Sequence, residues 1–120
     1  MKFYRVEHKE TRLGPYVSDD ALSILEAHGH SDVSNDVHPH VLLDPTLKQE
    51  VKQKWFHPWG CLRSGFQSKA QLHRWFSQAA LDALKDLGFV IRTYEVPKVH
   101  RGEKQAVIFS RWHTRKRIVS

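Results

Sequence analysis

A chain of 120 residues with 40% apolar and 27% charged side chains, including four Trp, six Phe and three Tyr, can bury one core without metal or disulfide support. That composition argues against intrinsic disorder, and the absence of any apolar run near the roughly 18 residues of a membrane-spanning helix disfavours a membrane protein. The net charge of +6 sits at one end: residues 1–90 hold 11 Lys and Arg against 11 Asp and Glu, and residues 91–120 hold 8 against Glu95 and Glu103.

In chain order, Lys2–His8 has the period of a strand, with Phe3, Arg5 and Glu7 on one side and Tyr4, Val6 and His8 on the other. Leu13-Gly14-Pro15-Tyr16 breaks it. Ser18 then reads as an N-cap with Asp19 and Asp20 in the first turn, Ala21, Leu22, Leu25 and His28 recur at helical spacing, and Gly29 is the stop; a helix is expected over 19–28. Residues 30–43 have no steady period and read as a long loop with a short strand at 41–43. Asp44-Pro45 opens a second helix carrying Leu47, Val51 and Trp55 on one stripe and ending before Pro58. Trp59–Phe66 reads as a turn-rich entry to a third helix over 69–87, started by the capping box of Ser68 and Gln71 and stopped at Gly88. Phe89–Val96 and Gln105–Trp112 are β-branched and aromatic runs separated by the Arg101-Gly102 turn signal, which predicts an antiparallel hairpin with a protruding basic loop and a basic end. The expected fold is a single α+β domain over 1–120: a small, mostly antiparallel sheet with a C-terminal hairpin, packed by about three helices.

Three sets of residues invite a chemical role. Lys98, Arg101 and Lys104, with Arg111, Arg115, Lys116 and Arg117, can neutralise an anionic partner, nucleic acid or an acidic protein surface, while Trp112 and His113 can stack on bases; a solvated, solubilising surface explains the same charges. His28, His30, His38 and His40 stand in pairs two apart, but no Cys pair or His-Glu-x-x-His helix accompanies them, so no metal is expected. Trp55, Phe56, Trp59, Phe66, Trp75 and Phe76 can line a planar pocket, although their spacing suits core packing better. The lone Cys61 reads as a structural thiol and suits a reducing, cytoplasmic compartment.

Taken in order, Tyr4-Arg5-Val6, Gly14-Pro15-Tyr16, Gly65-Phe66-Gln67-Ser68, Tyr94-Glu95-Val96-Pro97 and the run Gly102–Phe109 resemble a small ADP-ribosyltransferase-like domain, and also short proteins carried by phages and other mobile elements. The resemblance implies NAD as cofactor, Arg5 and Ser68 as its contacts with Tyr16 beside them, and a late-strand residue that activates the ribose. Gln105 stands at that last position, with Glu103 two residues earlier and on the same face if the strand reaches it. A carboxylate stabilises positive charge on the ribose, whereas an amide only hydrogen-bonds, so Gln105 implies a degenerate enzyme. Two readings without catalysis stand beside this one: a phage or mobile-element protein that inhibits a host nucleic-acid or defence complex, and a nucleic-acid-binding accessory protein.

Overall fold

The computed structural model describes residues 1–29 and 62–109. Five strands and three helices occur among them: β1 (Lys2–His8), a 3₁₀ turn (Pro15–Val17), α1 (Asp19–Ala27), β2 (Leu62–Gly65), α2 (Lys69–Trp75), α3 (Gln78–Asp86), β3 (Phe89–Glu95), β4 (His100–Arg101) and β5 (Ala106–Phe109). The fold class is α+β, with two small antiparallel sheets. One pairs β1 with β3, Lys2 opposite Glu95 and His8 opposite Phe89; the other has the order β2-β5-β4. A two-way backbone bridge between Tyr4 and Phe66 joins them, Tyr4 N–H donating at 2.8 Å and Phe66 N–H at 2.7 Å. The expected strand at 41–43, the helix over 45–57, Cys61, the His pairs beyond His28 and the basic end from residue 110 lie outside the described residues.

The alternation of β1 is present, yet both of its sides are covered. Val6 enters a cluster built from Leu25, Leu72, Trp75, Leu84 and Phe89, on which Tyr4 also packs, while Phe3 enters a second cluster with Tyr94, Val96, Val99 and Ile108. Arg5 and Glu7, on the Phe3 side, are therefore buried polar groups. Helix α1 runs as expected: Ser18 Oγ accepts from Ala21 N–H at 3.3 Å, and Gly29 follows its end at a left-handed φ of 79°.

Three expectations need correction. The single helix over 69–87 is two helices, broken because Phe76 is extended and Ser77 caps α3, its Oγ accepting from Ala80 N–H at 3.2 Å. In a continuous helix Trp75 and Phe76 would diverge by about 100°; the break lets both enter one core. Replacing Ser77 by Ala is expected to cost about 1 kcal/mol, read as a lower urea midpoint at unchanged slope. Next, Phe89–Glu95 does not pair with the last strand. Buried Val96 and Val99 carry the chain from one sheet to the other, and β5 forms its hairpin with β4 through a tight Gly102–Gln105 turn closed by Gly102 N–H on Gln105 O at 2.9 Å. Finally, 62–65 is a strand on β5, made possible by Gly65: a Cβ there would lie 2.5 Å from Tyr4 O and 2.4 Å from the Phe3 ring.

Candidate functional site

The junction of the two sheets leaves a cleft between the Gly14-Pro15-Tyr16 segment and the start of β5. Arg5, Gly14, Tyr16, Ser64, Phe66, Trp75, Phe76 and Gln105 line it with Val6, Pro15 and Gly65. Its solvent-accessible space is about 30 Å³, room for a water or two. A nicotinamide ring or a nucleobase enters only if a wall moves.

Arg5 supplies the cleft's charge. The residue is 7% exposed, and a buried cation is costly unless its hydrogens are met. Nη1 donates to Ser64 O, and Nε lies 3.9 Å from Glu7 Oε1, an ion-pair distance too long for a hydrogen bond. Nη2 faces Gly14, where a Cβ would stand 3.2 Å away. Burial lowers the Arg5 pKa and the Glu7 carboxylate pulls it back up, with Arg63 opposing; the guanidinium stays charged. Glu7 is fully buried and accepts from Tyr94 Oη at 2.6 Å.

The opposite wall is tied by Tyr16, whose hydroxyl accepts from Trp75 Nε1–H at 2.8 Å while the residue remains 40% exposed. Burial of the phenol pushes its pKa up to about 12, and the Trp75 hydrogen bond opposes that rise. A phenol raised in the folded state adds stability that is complete below the unfolded value of about 10 and is lost as pH climbs through the folded one. Thermal stability is thus expected to fall between about pH 10 and 12, and the fall should shrink in Tyr16→Phe.

The structure brings Arg5, Tyr16 and Gln105 together and leaves two expected residues out. Ser68 caps α2, its Oγ accepting from Gln71 N–H at 3.1 Å, and does not line the cleft. Glu103 is not on a strand face: β5 begins at Ala106, so Glu103 sits in the turn, in a separate groove with Gln71, Arg74, Trp75 and Lys104. Gln105, 5% exposed, closes that turn one residue before β5 and lines the cleft. Of the basic set, Lys98 and Arg101 are exposed and Lys104 is half-buried; Arg111, Trp112, Arg115, Lys116 and Arg117 lie outside the described residues.

Ser64 and the buried Glu7–Tyr94 pair had no marker in the sequence beyond strand alternation. The sequence marks Gln71 only as a capping partner. Its amide in fact ties α2 to the turn that presents Gln105, with Oε1 accepting from Gln67 N–H at 3.0 Å and Nε2 donating to Gly102 O at 3.0 Å and Glu103 O at 3.1 Å. No helix among the described residues is long and apolar enough to cross a membrane.

No curated protein and no solved structure gives a significant match to the chain. Residues 1–118 match the model of the family described as Bacteriophage T4 Y00F protein, and at that coverage the chain belongs to this phage protein family.

Proposed function

We propose that this phage protein binds NAD or a related nucleotide in the Arg5 cleft, as an ADP-ribosyltransferase-like domain whose turnover is weak. One observation carries the proposal: residues 5, 16 and 105, distant in sequence, line one cleft around a buried cation. In this reading Arg5 Nη2 meets a phosphate oxygen, the exposed ring of Tyr16 covers a planar group, and the Gln105 amide hydrogen-bonds a ribose hydroxyl. Because an amide lacks the charge that steadies a ribosyl cation, binding exceeds catalysis. The ligand enters by parting Gly14–Tyr16 from Trp75.

Isothermal titration with NAD and with ADP-ribose tests the proposal. The wild type is expected to bind, and Arg5→Gln to bind about 10 to 100 times more weakly, the effect of losing a charged hydrogen bond of roughly 1.5–3 kcal/mol. Gln105→Glu is expected to raise NAD turnover. Well-folded wild type that binds neither compound overturns the reading.

The exposed Lys98 and Arg101 favour a second reading, a non-enzymatic module that docks an anionic host partner, nucleic acid or an acidic protein surface. Such binding would weaken steeply with salt and with joint neutralisation of Lys98, Arg101 and Lys104.

A further inference from the structure

Behind the cleft, Glu7 and Tyr94, which do not line it, stand next to Arg5. Arg5 and Glu7 are two apart on β1 and share a side, and Tyr94 stands opposite Phe3 on β3, so its ring rises on that same side. Glu7 Oε1 accepts from Tyr94 Oη at 2.6 Å, and this oxygen is the one 3.9 Å from Arg5 Nε. A buried carboxylate beside a guanidinium gains most from a direct, paired contact at roughly 2.7–2.9 Å. The hydrogen bond from the tyrosine hydroxyl instead anchors that oxygen 3.9 Å from Nε.

We propose that Tyr94 is a positioning residue for the phosphate of the bound nucleotide: by holding Glu7 off Arg5, it keeps the guanidinium turned with Nη2 toward Gly14 and the cleft. The inference rests on the nucleotide reading above. Without the hydroxyl, Glu7 closes onto Arg5, satisfies Nε and draws the charge away from the ligand. Neutralising Glu7 does the reverse. It leaves Arg5 an uncompensated buried cation, which costs stability and makes an incoming phosphate more welcome.

The test uses the full chain, with ADP-ribose as ligand and the Arg5 Nε–H resonance followed by NMR without ligand. Tyr94→Phe is expected to weaken ADP-ribose binding at least tenfold and to move the Nε–H resonance downfield, as a new hydrogen bond to carboxylate does. Glu7→Gln is expected to lower the melting temperature yet strengthen ADP-ribose binding at least threefold. Opposite signs at two touching residues are not what a purely structural role gives. Unchanged binding and an unmoved resonance in Tyr94→Phe, or weaker binding in Glu7→Gln, overturn the inference while leaving the nucleotide reading intact. Absence of binding to the wild type overturns both. Should Tyr94→Phe fail to fold, the sign of the Glu7→Gln effect decides alone.

Discussion

Gly65→Ala is expected to destabilise the protein by about 3 kcal/mol. Gly65 ends β2 where the two sheets meet, one residue before Phe66 exchanges backbone hydrogen bonds with Tyr4. The new methyl would lie 2.5 Å from Tyr4 O and 2.4 and 2.9 Å from two atoms of the Phe3 ring. The ring belongs to the core and the oxygen belongs to the bridge, so neither can withdraw without loss. Gly29 supplies the contrast. It has a left-handed φ of 79° and nothing within 4 Å of a Cβ, so Gly29→Ala should cost only about 1 kcal/mol of backbone strain. Urea unfolding of both variants measures the difference; equal midpoints would show that the sheet junction yields easily.

Gln71→Glu is expected to cost about 3 kcal/mol at neutral pH, because a carboxylate would replace the amide that donates to Gly102 O and Glu103 O. Gln71 is 2% exposed, so the new charge has little access to water and faces two carbonyl oxygens. The substituted carboxyl would hold its proton more tightly in the folded state than its unfolded value of about 4.3. Stability from that proton is complete below the unfolded value and disappears as pH rises through the folded one, so the gap from the wild type should narrow in acid. Gln71→Met, which fills the space without charge, should cost less and show no such pH dependence. Denaturant titrations from pH 4 to 8 check both.

Elements with a local cause were legible in the sequence. Ser18 with Asp19 and Asp20 set the start of α1, Gly29 its end, and the alternation from Lys2 to His8 gave β1. Choices made by tertiary structure were not. An apolar period running through Leu72, Phe76, Ala79 and Ala83 hides the break at Ser77, since the helix interrupts itself to bury Trp75 and Phe76 together. Neighbouring strands usually pair, yet the chain crosses to the other sheet through Val96 and Val99, which are buried with Phe3, Tyr94 and Ile108. Strand β2 escaped because Arg63-Ser64-Gly65 looks like turn chemistry, and only its partner β5 makes it a strand.

The candidate site divides in the same way. Arg5, Tyr16 and Gln105, which the resemblance implies, line one cleft, whereas Ser68 is occupied as a helix cap and Glu103 is carried outward by the turn. The phage side of the resemblance agrees with the family to which the chain belongs. The contacts behind Arg5 were not legible, because the hydrogen bond from Tyr94 to Glu7 joins residues 87 positions apart.

The most direct measurement is an amide NMR titration of the full chain with ADP-ribose. If the Arg5 cleft is a nucleotide site, the perturbed residues will be Arg5, Gly14, Tyr16, Ser64 and Gln105, and Arg5→Gln will move the titration to about 10 to 100 times higher ligand concentration. Perturbation confined to Lys98–Lys104, or none at all in folded protein, would contradict it.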